Sequence, residues 1–251
     1  MSEQEDDYVE AVVNDNLILI SGESTTGKSV SLMNLEDPEG VMYLNCEAGK
    51  KLPFRNKFDR YVITDPYQVP DAFDAAEERD DIHTIVVDTI TFLMDMFESQ
   101  YVIGSANTMG AWGDYQQFFK NLMQDKVANS TKDIIILAHT KSEVDEATAE
   151  RVTQIPIKGA LKNNGVEAYF STVVSTKRMK IKDLKDQNKE LLNITEEDEI
   201  LGFKHVFQTR LTKNTKNERI RSPMRMFTLS ETYMDNDAQL LMSHIKEYYG
   251  E

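Results

Sequence analysis

The apolar residues of this chain come in short blocks whose spacing changes along its length. Residues 17–21 (LILIS) are apolar and closed by a glycine turn, the pattern of a strand buried on both faces. Residues 29–35 then read as a helix ending near Asp37-Pro38. VMYLNC (41–46) and RYVIT (60–64) are further strand candidates, and 69–79 carries a helical pattern. HTIVVDT (83–89) and DIIILAHT (133–140) are strongly apolar strands, and between them 111–128 repeats apolar groups at helical spacing. Near-continuous apolar strands alternating with helices predict an α/β fold with a mostly parallel central sheet covered on both faces.

The pattern changes after residue 140. Residues 141–168 are polar, hold no clear period and read as a long loop, which in a compact chain is usually functional or disordered. FSTVVSTKRM (170–179), KHVFQTRLT (204–212) and RMFTLS (225–230) then read as strands, close enough in sequence to pair antiparallel at one edge of the sheet. Residues 180–203 form a charged insertion, either a short helix or loose chain. An amphipathic helix over 237–249 closes the chain. With no repeat and no low-complexity linker, residues 1–251 are expected to form one domain.

The chemistry gathers where strands end. After the first strand, Gly22, Glu23, Ser24, Thr25, Thr26, Gly27, Lys28 and Ser29 match G-x-x-x-x-G-K-[ST]. Gly22 and Gly27 let the backbone turn so that consecutive N–H groups face phosphate oxygens. Lys28 brings a point charge to the β- and γ-phosphates, and the Ser29 hydroxyl is a ligand for Mg²⁺. The helix expected from Lys28, with Val30 in its first turn, adds the positive end of its dipole. Three more residues close strands on the same side, where ligands of open parallel sheets collect. Asp88 ends HTIVVD and is placed to hold Mg²⁺; a strand-end aspartate can also simply cap the next helix. Glu47 follows VMYLNC and is placed to polarise a water as general base, or is a surface acid. His139 ends IIILAH and is placed to touch a γ-phosphate, with Thr140 a weaker candidate; a lone histidine is often only a satisfied hydrogen-bonder.

Composition narrows the class. At 40% hydrophobic and 28% charged residues, the chain is of ordinary globular type. No apolar run reaches the length of a membrane span. The tail over 1–15 is acidic without an apolar signal core, which predicts no secretion. One cysteine, Cys46, excludes an internal disulfide and fits a reducing cytoplasm. The net charge of −15 argues against coating nucleic acid with the whole surface. The charge is split, with 11 Lys+Arg against 29 Asp+Glu in residues 1–150 and 17 against 14 in 151–251. Any polyanion should therefore meet the C-terminal third, although such clusters are often only solvated surface.

These motifs together resemble phage-type ATPases of the RecA superfamily, the group that includes phage single-strand-annealing recombinases. The resemblance runs from about residue 16 to 230 and rests on GESTTGKS, YLNCEAG, TIVVDTIT, IIILAHTK and IPIKGALKNN. It implies a RecA-like P-loop NTPase fold, ATP and Mg²⁺ as ligands, Glu47 as the residue that activates water, Asp88 as the magnesium residue and His139 as the γ-phosphate sensor. It also implies a homo-oligomer with nucleotide between subunits. QTRLTKNTKNERIRSP (208–223) resembles the family's late basic segment, which reaches a neighbour's γ-phosphate. Arg219 matches best when counted back from Pro223, with Lys216 and Arg221 as alternatives because the spacing departs slightly. Such a cation is worth roughly 10³–10⁵ in rate where it is an arginine finger; otherwise the segment is a basic surface hairpin. Family members contact single-stranded DNA through the loops corresponding to 99–113, with Tyr101 and Trp112, and 141–165, with Arg151, Lys158 and Lys162. Only about 16 residues precede the first strand, so the long oligomerisation helix of full-length recombinases is not expected.

Three functions follow. The first is a DNA-dependent ATPase in recombination, annealing or replication, working with single-stranded DNA and a single-strand-binding protein. The second is a hexameric helicase-like or loader motor. The third is a nucleotide-dependent switch acting through protein partners, which suits the acidic first part.

Overall fold

The computed structural model describes residues 16–146, 149–185, 187 and 190–250. The acidic tail over 1–15 lies outside these residues, as do positions 147 and 148 of the expected loop and 186, 188 and 189 of the insertion.

Among the described residues ten strands and six α-helices follow one another. The first stretch holds β1 (Leu17–Gly22), β2 (Val41–Asn45), β3 (Asp59–Val62), α1 (Gln68–Glu77), β4 (Thr84–Asp88), α2 (Ile90–Phe97), α3 (Thr108–Asn121) and β5 (Asp133–His139). Then come β6 (Lys141–Val144), β7 (Arg151–Gln154), α4 (Leu161–Asn164), β8 (Thr172–Lys180), α5 (Glu196–Leu201), β9 (Phe203–Gln208), β10 (Tyr233–Asp235) and α6 (Ala238–Tyr249). Eight strands form one sheet in the order β10-β9-β8-β1-β5-β4-β2-β3, with β6 and β7 paired apart from it. From β3 to β8 the neighbours run parallel, whereas β9 and β10 are antiparallel. This is the mostly parallel α/β sheet with antiparallel C-terminal edge strands that the alternation predicts.

The central strands are apolar along their whole length because both faces are covered. Ile18, Leu19, Ile20 and Ile134 to Leu137 are fully buried, each such side chain contributing about 1.5–3 kcal/mol. Alternate residues feed two separate cores. Leu19, Ile134 and Ile136 join α1, α2 and α3 on one face, while Ile18, Ile20, Ile135 and Leu137 join α6 on the other. Helix α2 forms because Ile90, Leu93, Met94 and Phe97 make one buried stripe at helical spacing. Asn107 starts α3 by accepting from the Gly110 N–H, and Asp237 starts α6 by accepting from Gln239 and Leu240.

Three expectations change, and for the insertion the short-helix alternative is the one found. The helix expected over 29–35 is a single 3₁₀ turn, Ser29–Leu32, because only a few residues separate Gly27 from left-handed Asp37 and Pro38. The expected strand over 225–230 is a run of turns, with Arg225 at φ 70; the edge strand is β10 instead. The polar stretch after 140 is not structureless: β5 passes through Thr140 into the β6–β7 hairpin. The insertion is packed, since Leu184 and Leu192 bury against Val206 of β9, and α5 carries a Thr195–Asp198 capping box.

Strand register sets the chemistry. Gly22 pairs with His139, and Asp88 pairs with Asn45. The ends of β1, β5, β4 and β2 thus meet on one edge of the sheet, with Glu47 two residues beyond Asn45.

Candidate nucleotide site

A cleft of about 310 Å³ opens over these strand ends, lined by Ser24, Thr25, Gly27, Lys28, Ser29, Val30, Glu47, Asp88 and His139 among others. Part of the glycine loop and the strand-end residues Glu47, Asp88 and His139 are therefore brought to one place. The loop from Gly22 to Ser29 departs from extended backbone at Thr25 (φ 67) and Gly27 (φ 108). A Cβ at Gly27 would meet the Asn236 amide at 2.7 Å, so glycine is required there for shape and for space. Thr26 turns its hydroxyl to the Glu23 carbonyl at 2.8 Å.

Lys28 is nearly buried and its ammonium donates to the carbonyls of Gly22 (3.0 Å) and Glu23 (2.8 Å). Burial pulls its pKa down to about 8, against the opposing charges of Asp88 and Glu47. A buried cation with only carbonyl partners suits an anion brought alongside it. The expected helix dipole contributes little, because one 3₁₀ turn stands in place of the helix.

Asp88 is buried on β4. Its Oδ2 accepts from the Ser29 hydroxyl at 3.0 Å and from the Tyr43 hydroxyl at 2.7 Å. Its Oδ1 is buried without a hydrogen-bond partner among the described residues. Burial pushes its carboxyl above the usual range, Glu47 adds to the shift, and the two hydroxyls oppose it. An orphaned carboxylate oxygen beside a serine hydroxyl fits Mg²⁺ or one of its waters, since that cation keeps several waters and takes few protein ligands. Ser29 and Asp88 would hold it, and it would neutralise charge on the phosphates.

Glu47 is almost closed off from solvent. Its Oε1 accepts from His139 Nε2 at 2.9 Å and its Oε2 from Lys50 at 2.8 Å. The His139 hydrogen bond, helped by Lys50 and opposed by burial, draws its carboxyl down to about 2. The carboxylate is therefore ionised at any physiological pH but has both oxygens engaged. The His139 backbone N–H donates to the Thr91 hydroxyl at 3.3 Å, and the His139 ring meets Phe92 edge-on at 5.5 Å.

Arg219 stands outside the cleft in its own chain. It donates to Glu167 and to Gln154, each at 3.2 Å, and Glu167 is buried. Lys216 pairs with Glu150, and Arg221 pairs backbone to backbone with Val173. The candidate loop residues are also engaged inside the chain. Tyr101 donates to Asp65 at 2.6 Å, Trp112 packs against Gly159 and Tyr115, and Lys158 pairs with Glu98.

Several site residues were not foreseen. Tyr43 lies mid-strand and Lys50 is three residues past Glu47. Thr176, His205 and Asn236 come from the antiparallel edge. Thr176 bonds the Thr26 hydroxyl, His205 Nδ1 donates to the Thr26 carbonyl at 2.8 Å, and Asn236 donates to the Gly27 carbonyl at 2.9 Å. Only the i+3 spacing of Lys50 was visible in the sequence.

A parallel α/β sheet with a G-x-x-x-x-G-K-S loop after its first strand, an acid closing β4 and a cleft over the strand ends is a P-loop NTPase fold. The family model for an AAA domain matches residues 14–204, and the chain belongs to that family of nucleotide-binding P-loop ATPases. No curated protein matches the chain. Among the described residues no helix is long and apolar enough to cross a membrane.

Proposed function

We propose that the chain is a Mg²⁺-dependent, RecA-like ATPase of phage type that acts on single-stranded DNA in recombination, annealing or replication. The observation that supports it most is the pairing of Glu47 with His139 at 2.9 Å in the same cleft as Lys28, Ser29 and Asp88. Lys28 and the loop N–H groups hold the triphosphate, Ser29 and Asp88 hold the magnesium, and Glu47 takes a proton from the attacking water. His139 links the γ-phosphate position to the β6–β7 hairpin that follows it. Subunits assemble with nucleotide between them, and Arg219 reaches the neighbour's phosphate after leaving Glu167 and Gln154. The DNA assignment rests on the sequence resemblance and on the net positive C-terminal third.

A second reading, a nucleotide switch working through protein partners, is favoured by one observation. Tyr101, Trp112 and Lys158, three of the five residues expected to meet DNA, are tied to neighbours within the chain. The test is ATP turnover by the full chain with Mg²⁺, with and without an oligonucleotide, alongside filter retention at low salt. Stimulated turnover and retention are expected. Turnover that ignores DNA, with no retention, refutes the DNA assignment and leaves the switch; no turnover under any condition refutes the ATPase reading.

A further inference from the structure

Asp88 has two oxygens with opposite fates. Oδ2 accepts two hydroxyl donors, Ser29 and Tyr43, whereas Oδ1 accepts none although it is buried. The serine is part of the glycine-loop motif, but nothing in that motif calls for the tyrosine. Tyr43 sits on β2, is 2% exposed, and shares its face with apolar neighbours including Val41, Val86 and Ile135. A hydroxyl in such a layer costs stability unless it finds an acceptor, and an apolar side chain would fill the position without that demand. Beside a carboxylate oxygen the Tyr43 hydroxyl is the donor. The ring is fixed from the side by Phe58 at 6.2 Å and by the Arg60 guanidinium at 5.9 Å.

We propose that Tyr43 is a positioning residue for the divalent cation: it saturates Oδ2 of Asp88 together with Ser29, and thereby reserves Oδ1 for the cation or its water. The proposal rests on the reading of the cleft as a magnesium–nucleotide site. A carboxylate with one donor on each oxygen would keep a lone pair on both and so favour neither for the cation, and one with no fixed donor would rotate. Two donors on one oxygen lock the group with the other oxygen available. The bland alternative is a tyrosine that satisfies its own hydroxyl with the nearest acceptor and does nothing for the metal.

The test uses the full chain and a fluorescent, non-hydrolysable ATP analogue, titrated at a series of Mg²⁺ concentrations and in EDTA. Outer-shell partners of metal ligands are worth roughly 10–100-fold in metal affinity. Tyr43→Phe should therefore raise the half-saturating Mg²⁺ about tenfold, and change metal-free nucleotide affinity by less than about twofold. In an Asp88→Asn background the same substitution should shift the Mg²⁺ midpoint by less than about twofold, because its route is gone. An unchanged midpoint, an equal shift without Asp88, or an equal loss in EDTA would each overturn the positioning role. If the unsubstituted chain binds nucleotide without regard to Mg²⁺, the reading of the cleft falls, and this inference with it.

Discussion

Replacing Glu47 by glutamine removes a single charge from the cleft and almost no volume. The cost to the fold is small. Lys50, whose side chain is 66% exposed, loses an ion pair of the kind worth about 0.2–1 kcal/mol, and the His139 bond survives on the amide oxygen. At roughly 2–4 °C per kcal/mol for a chain of this size, the melting temperature should fall by less than about 4 °C. Nucleotide affinity should hold or rise, because a negative charge has left the neighbourhood of a polyanion. Turnover should collapse. A general base contributes roughly 10²–10⁴ in rate, or about 2.7–5.4 kcal/mol of barrier at 1.36 kcal/mol per factor of ten. The base starts from a poor position, with both oxygens engaged and its carboxyl held down to about 2. It takes a proton on a remaining lone pair with His139 and Lys50 still opposing protonation, and glutamine cannot take one in any arrangement. Single-turnover hydrolysis and analogue binding, measured on the same Glu47→Gln sample, separate the two effects. Turnover within tenfold of the unsubstituted chain, with binding intact, would show that the proton leaves by another route.

Two further outcomes follow from particular geometries. In the proposed function Lys28 binds phosphate as a cation, and burial lowers its pKa to about 8. Nucleotide affinity should thus be level below pH 8 and fall towards tenfold per pH unit above it, while Lys28→Met should be weak and flat; a titration of the unsubstituted chain that stays level to pH 9.5 would show that burial does not lower this pKa, and a Lys28→Met affinity equal to that of the unsubstituted chain would remove Lys28 from phosphate binding. Gly165 adopts φ 75, and a Cβ there would lie 1.6 Å from the Arg219 guanidinium and 2.5 Å from Glu167. Gly165→Ala should cost about 2 kcal/mol or more in backbone strain and a displaced ion pair, read as a melting temperature lower by at least about 4 °C, and an unshifted melt would mean that the pair is not fixed in solution.

How much the sequence disclosed depended on whether a residue acts through its neighbours in the chain. The glycine loop, Asp88, Glu47 and His139 were legible because each closes a near-continuous apolar strand, and parallel strands all deliver their ends to one edge. The stripe Ile90, Leu93, Met94 and Phe97 carried the period of α2 but was overlooked beside the stronger strand before it. The turn at 29–32 and the loss of the strand at 225–230 were set by backbone conformations at Asp37 and Arg225 that composition alone does not announce. The contacts of Tyr43, Thr176, His205 and Asn236 depend on sheet order. Asn236 and Gly27 are separated by 209 positions, and no local pattern joins them.

Those distant contacts change how the glycine loop is held. With only one 3₁₀ turn after it, the loop receives little support from a following helix. Its outer carbonyls at Thr26 and Gly27 are bound instead by His205 of β9 and by Asn236 just past β10, and its Thr26 hydroxyl by Thr176 of β8. His205 and Asn236 both lie beyond residues 14–204, where the family match ends. The same β9 supports the packed insertion through Val206, and Thr153 of the β6–β7 hairpin pairs with the basic segment at Asn217 and Glu218. The loop that cradles phosphate and the edge that carries positive charge are thus parts of one contiguous set of packed contacts. A nucleotide that fixes the loop would therefore act on hydrogen bonds rooted in that edge. Any ligand of the edge that shifts nucleotide affinity would have its own affinity shifted by the same factor, because coupling free energy is reciprocal.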